Sequence, residues 1–306
     1  MSNSSASSVI KMIKSKPIFW DNSGNVELWD FSKANLSLET RIQAITQVAS
    51  VCYQSPKALG SESLYNRLLA ESIGLPSSSF EFVPVLLNLN NPKHKEIFEP
   101  KFSNVRKYGE CITEGWFLTN YRALVYDWEH FSDLDIYSYD IRDTFNTEEE
   151  CGIIKEFFSV FFYTIDFATR SQMVRHRVNW QELSRRYVSG KKLPFVPYFD
   201  EKTSAFNGGE VDEFYASSIS LYNKLINSGI KPEKARRVIP VGTLTFLWGG
   251  FMPSQLSNFL SLRTKGSAQD EVRDVADTMK LLLPFQSENQ SEKNLLLIGK
   301  PSCCVC

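Results

Sequence analysis

Apolar residues at Ile42, Ala44, Ile45, Val48, Val51 and Cys52 recur with a helical period and predict a helix from Leu38 to Cys52 that packs on a sheet. Before it, Asn25 to Phe31 alternates apolar and polar side chains like a strand, and Met1 to Lys16 reads as a mobile polar tail. Ser61 to Ser72 predicts a second helix, halted near Gly74 and Pro76. Phe80 to Leu87 then reads as a strand that Pro84 restricts to an edge or a bulge. Gly115 to Leu124 reads as strand then helix, and Phe157 to Ile165 is apolar on both faces, as a buried strand should be. Phe167 to Val174 predicts a helix, and Val211 to Asn227 an amphipathic one ended by Gly229, with Arg236 in the next helical turn. Val241 to Phe251 is strand-like; Pro253 to Ser261 and Ala268 to Leu283 are helical. Strands and helices intersperse without a Gly-rich strand-turn-helix, so the class is α+β and no dinucleotide-binding fingerprint is present.

Composition narrows the function. With 306 residues, 42% of them hydrophobic, the chain can bury a substantial core as one large or two small domains. A net charge of −1 removes any global polyanion-binding signature and leaves the basic character local. That locality is concentrated in one stretch, where Arg170, Arg175, Arg177, Arg185, Arg186, Lys191 and Lys192 surround the single acid Glu182. Guanidinium forks match phosphate oxygens two at a time, so the stretch points to a nucleotide; a basic surface helix or a nucleic-acid patch is the blander alternative. The six cysteines form no metal-type pairs, and neither cysteine nor histidine spacing suggests a metal site. Nothing resembles a secretory signal and no apolar run reaches membrane-spanning length, so a reducing cytoplasm is the expected home. The Cys303-Cys304-Val305-Cys306 end reads as a frayed tail with free thiols rather than a lipidated or metal-binding one.

Arg175-His176-Arg177 followed by Glu182-Leu183-Ser184-Arg185-Arg186-Tyr187 resembles the signature of the flavin-dependent thymidylate synthases, with six residues between Arg177 and Ser184 where that family has seven. Leu225 to Pro240, with Ala235-Arg236-Arg237-Val238-Ile239-Pro240, is similar to the family's helix, Gly turn and Ala-Arg-x-Val-Leu-Pro block. Asn258 to Arg263 and Ser267 to Glu271 resemble its Asn-Phe-x-x-x-Arg and following His-Ala-x-x-Glu. Ala49 to Ser55 and Ser77 to Phe82 resemble its first helix and its Ser/Thr-x-Phe-Glu-His turn. The similarity covers roughly residues 25–85 and 156–285. It implies a tail at 1–24, one synthase-like domain at 25–290 with an insertion at 89–150 that has its own aromatic core, and a tail at 291–306.

The resemblance implies a mixed, mainly antiparallel sheet flanked by helices. It also implies a homotetramer with active sites between subunits and no nucleic-acid or membrane partner. The implied reaction converts dUMP to dTMP with FAD as cofactor, and with methylenetetrahydrofolate and NADPH as co-substrates. For dUMP it points to Gln172, Arg175, Glu182, Ser184, Arg186, Arg236 and Arg263, with Arg263 and Ser184 nearest the chemistry, and for FAD to Ser78, Glu81, Arg175, His176, Arg177 and Asn258. Gln172 and Arg175, three apart, are expected on one helical face. Two flanking arginines should lower the proton affinity of His176 and keep its ring neutral. Ser184 has nothing to lower its pKa, so a hydrogen-bonding role suits it better than a nucleophilic one. Pro76, Phe82, Met252, Ser254 and Ser267 depart from the family pattern on the flavin side. Asn120-Tyr121-Arg122 in the insertion reads as a helix start capped by Asn120, with a compensating flavin contact as the alternative. Two rival functions stay open: a paralogue that acts on another pyrimidine nucleotide or is catalytically inactive, and a nucleic-acid-binding protein built on the basic segment around Trp180.

Overall fold

The computed structural model describes residues 11–18, 24–30, 38–53, 59–69, 76–99, 103–127, 148–186 and 210–283. Tyr187, Lys191, Lys192 and the cysteine-rich end lie outside the described residues. Strands β1 (Lys11–Lys14) and β2 (Asn25–Asp30) open the chain, followed by helices α1 (Leu38–Tyr53) and α2 (Glu62–Leu69). A 3-10 turn at Ser78–Phe82 leads into β3 (Pro84–Asn88). Short helices α3 (Pro92–Phe98) and α4 (Asn104–Lys107) precede β4 (Glu110–Thr113), β5 (Trp116–Asn120) and α5 (Tyr121–Asp127). The second half comprises α6 (Glu148–Phe157), β6 (Ser159–Asp166), α7 (Phe167–Met173) and β7 (Asn179–Glu182). It continues with α8 (Glu210–Asn227), α9 (Pro232–Ala235), β8 (Leu244–Phe251), α10 (Pro253–Arg263) and α11 (Asp270–Leu282).

The larger sheet runs β1-β2-β6-β8-β7 with every neighbouring pair antiparallel. Its centre is β6, paired with β8 from Ser159↔Phe251 to Asp166↔Leu244, which is why its sequence reads apolar on both faces. One face carries Val26, Leu28, Phe161, Tyr163 and Leu247 against α10 and α11, where Val272, Val275, Ala276 and Met279 form a buried stripe at helical spacing. The other presents Trp29, Val160 and Trp248 to Ile45, Val48 and Ala49 of α1, the two indoles lying 5.0 Å apart. The class is α+β, as the sequence suggests.

Two expectations change. Lys11–Lys14, read as part of a mobile tail, pairs with β2 through the register Lys11↔Asp30 to Lys14↔Glu27. Among the described residues, the insertion shares its core with the rest of the chain. Its strands join the preceding segment in a three-stranded sheet of order β3-β5-β4, and Phe117, Leu118 and Tyr121 share one hydrophobic cluster with α1 and α2. Pro84 opens the edge strand β3, where its missing N–H costs no ladder bond. Gly229, at φ 85°, ends α8 as a left-handed cap, with the Ile230 N–H bonded to Leu225 O and the Gly229 N–H to Ile226 O.

Candidate functional site

Helix α7 starts at a buried cap. Asp166 accepts from the Thr169 N–H at 2.8 Å and from its hydroxyl at 2.7 Å, and burial raises the carboxyl's pKa. The helix stops at Met173, which is fully buried, so Arg175 stands in the turn beyond it. Gln172 and Arg175 therefore do not share a helical face, because hydrogen bonds from His176 N to Met173 O and from Val178 N to His176 O fold the chain back into β7. The Trp180 indole N–H also bonds His176 O, at 3.1 Å. Gly249 of β8 makes room for that indole: a Cβ there would sit 2.6 Å from Trp180 Cζ3.

This turn forms one wall of a cavity of about 500 Å³ lined by Arg175, His176, Arg177, Asn258 and Arg263, with Ser254 and Gln255 at its rim. Arg263 donates from Nε to His176 Nε2 at 2.8 Å and from Nη2 to Gln172 O at 2.9 Å. Because Nε2 accepts, a neutral His176 carries its proton on Nδ1. Burial and then Arg263 lower the His176 pKa; the direction is the one expected, but the charge responsible comes from α10 rather than from the flanking arginines. The ring meets Phe259 edge-on at 4.8 Å. Burial and neighbouring Arg175 lower the proton affinity of Arg263 in turn.

The remaining predicted residues stand elsewhere in the chain. Glu182 ends β7, a strand's length from the Arg-His-Arg turn, and pairs with Arg170 at 2.6 Å. Ser184 accepts from the Arg186 N–H at 3.3 Å. Arg186 reaches Glu233 of α9 at 3.3 Å, and exposed Arg236 follows directly after that helix. Glu182, Ser184 and Arg186 thus lie at or just beyond the far end of β7, with Arg236 after the helix that Arg186 reaches, and none of the four lines the cavity of Arg175 and Arg263. Arg185, part of the apparent phosphate-binding run, is buried over the Phe167 ring with Nη2 on Leu244 O at 2.7 Å, and burial brings its pKa down to about 10. It is a structural residue.

Cys52 is the residue that sequence reasoning left without a role. Its thiol donates to Glu182 O at 3.1 Å and accepts from Gln181 Nε2 at 2.7 Å, while Ser184 N donates to Cys52 O. Gln181 in turn accepts from the Ser78 hydroxyl at 2.8 Å, so the end of α1 ties the predicted flavin turn to the predicted nucleotide strand. The only signal for this in the sequence is the position of Cys52 at the end of an amphipathic helix.

Residues 154–284 match the family described as "Thymidylate synthase complementing protein". The probable flavin-dependent thymidylate synthase of Paramecium bursaria Chlorella virus 1 is 29% identical over 143 residues, 40% of this chain and 66% of that protein. The flavin-dependent thymidylate synthase of Aquifex aeolicus is 30% identical over 142 residues, 41% of this chain and 44% of that protein. That of Saccharolobus solfataricus is 30% identical over 151 residues, 48% of this chain and 56% of that protein. Over this segment the chain is similar to the flavin-dependent thymidylate synthases. Each match spans less than two thirds of the relative's own length. Among solved structures, a UMP/dUMP methylase from Streptomyces cacaoi bound with 5-Br dUMP superposes with a TM-score of 0.36 at 25% identity, over 40% of this chain and 65% of that one.

Several positions where this chain departs from the pattern of the flavin-dependent thymidylate synthases have been absorbed into the fold. Phe82 is fully buried against Gly250. Met252 caps α10, its N–H donating to Gln255 Oε1 at 3.0 Å, and Ser254 donates from both N and Oγ to the insertion's Glu110. Asn120 caps α5 by accepting from the Ala123 N–H at 3.0 Å. What remains at the cavity still fits a phosphate-bearing flavin, because its lining contains three arginines and no acid. No helix among the described residues is long and apolar enough to cross a membrane.

Proposed function

We propose that the protein converts dUMP to dTMP, taking the carbon from methylenetetrahydrofolate and the reducing equivalents from NADPH through bound FAD, as a cytoplasmic homotetramer. The observation that carries this reading is the acid-free cavity joining Arg175, His176 and Arg177 to Asn258 and Arg263. Arg175, His176, Arg177 and Asn258 would hold FAD there, with Ser78 and Glu81 contributing from the turn before β3. The flavin, when bound, supplies the hydride that reduces the transferred carbon. Arg263, braced by Gln172 O and the neutral His176 ring, would offer a fixed guanidinium to the anionic, electron-rich form of uracil from which carbon 5 attacks. Among the described residues Ser184 has no base as a hydrogen-bond partner, which favours substrate binding over nucleophilic attack.

The split of the predicted nucleotide residues favours a shared site. Gln172, Arg175 and Arg263 form one group, and Glu182, Ser184, Arg186 and Arg236 the other, so each protomer would give complementary halves to two different sites. Purified protein should hold a flavin absorbance band through gel filtration, oxidise NADPH when dUMP and methylenetetrahydrofolate are present, and release tritium from carbon-5-labelled dUMP. Release from labelled dCMP or UMP instead would reassign the substrate. Bound nucleotide with no release from any of the three would mark a non-catalytic homologue.

A further inference from the structure

A second cavity, of about 290 Å³, opens where the insertion meets the larger sheet. It has Ser254 and Gln255 in common with the first, so the two cavities are neighbours on either side of these residues. The residues that line it from outside the insertion, Glu81, Asn179, Met252, Ser254 and Gln255, include no cation. The insertion supplies both of its cations, Arg122 and Lys107, and also the acid Glu110, which accepts from the N–H and hydroxyl of Ser254. Arg122 is held in place by three contacts: Nε donates to Pro76 O at 3.0 Å, Nη1 pairs with Glu81, and the guanidinium lies 5.2 Å from the Tyr126 ring centre. Those bonds use two of its five N–H groups and engage Nη2 with nothing among the described residues, which leaves a fixed fork with donors to spare. Lys107 is exposed at the lip, its ammonium 5.1 Å from the Tyr108 ring centre.

A dinucleotide is long, with an aromatic group at each end and charge in its middle. Two neighbouring cavities, with three arginines in one and the partly engaged Arg122 fork and Lys107 in the other, offer cations to such a ligand from both sides. We propose that the insertion supplies phosphate-binding donors to the flavin site, with Arg122 as the main one and Lys107 in support, so that the bound dinucleotide reaches from the first cavity into the second. This rests on the flavin reading above. It gives the insertion a task in the same chain that carries the Arg-His-Arg turn.

Equilibrium binding to the full-length protein, followed by flavin fluorescence, tests the proposal without reference to turnover. FAD should bind far more tightly than riboflavin. Arg122→Ala should weaken FAD at least tenfold while leaving riboflavin and dUMP affinity unchanged. Because Arg122 also holds Glu81, the same change is made on a Glu81→Gln background, where a direct contact predicts a further loss of about tenfold and a role through Glu81 alone predicts none. Undiminished FAD affinity in Arg122→Ala, or a loss that vanishes on the Glu81→Gln background, overturns the proposal. Should Arg122→Ala not fold, Lys107→Ala decides: a several-fold loss of FAD affinity supports the proposal, and an unchanged affinity overturns it. Wild-type protein that binds no flavin defeats the functional reading as well, whereas wild-type binding matched by both variants defeats only this inference.

Discussion

At His176 two influences push the same way, since burial and the Arg263 guanidinium both disfavour a charged imidazole. Its proton titration, followed by NMR, should fall below the ordinary 6.5. A depressed folded-state value means the unfolded chain takes up the proton first. This contribution to stability is complete above pH 6.5 and is lost as pH falls from there through the folded value. Arg263→Ala removes the neighbouring cation and should move the titration back upward; no movement would assign the whole shift to burial. Gly249 is set by a close approach rather than by backbone conformation. A methyl group there would press on Trp180 and on Phe251 Cε2 at 2.9 Å, so Gly249→Ala should cost about 1–3 kcal/mol in urea unfolding.

Among the elements, the sheet built by the insertion hangs on one carboxylate. Asp127, buried at the end of α5, accepts from the Ser103 hydroxyl at 2.7 Å and from Asn104 N, Asn104 Nδ2 and Val105 N at 2.8 Å each. It pins the start of α4 to α5. Asp127→Ala strands these donors and should cost about 3 kcal/mol. Hydrogen exchange should rise first around residues 103–127, with β6 and β8 protected; uniform loss across both sheets would contradict this local role. These elements differ in how readable they were. The helical period of α1, the two-faced apolar run of β6, Pro84 at an edge and the strand-then-helix at β5 and α5 follow from local pattern. Pairing of β1 with β2 does not, because Lys11–Lys14 is short and polar enough to pass for a tail. Nor does the common core of the two sheets, which depends on contacts between residues distant in the chain. At the site, motif and order found Arg175, His176, Asn258 and Arg263. The ion pairs of two other predicted residues, Arg170 with Glu182 and Arg122 with Glu81, depend on tertiary packing that periodicity does not encode.

At the scale of the whole molecule, the two groups of predicted nucleotide residues have a consequence for mixing experiments. If each site takes Arg263 from one protomer and Arg186 from another, Arg263→Ala and Arg186→Ala should each be nearly inactive alone. Unfolded together and refolded, random assortment would restore both intact halves in about one quarter of the sites. Activity that stays at the level of the separate variants would show that one chain builds its site alone.

The edge strand β3 also bears on engineering. Its ladder partner, from Pro84↔Asn120 to Asn88↔Trp116, is β5, which the insertion itself contributes. Excising residues 89–150 to obtain a minimal version of the protein would leave a row of backbone amides and carbonyls unmatched and uncover Val85, Leu86 and Leu87, which are almost wholly buried. Such a truncation should yield an aggregating product rather than a smaller catalyst, and a shortened version would have to keep the hairpin that completes this strand.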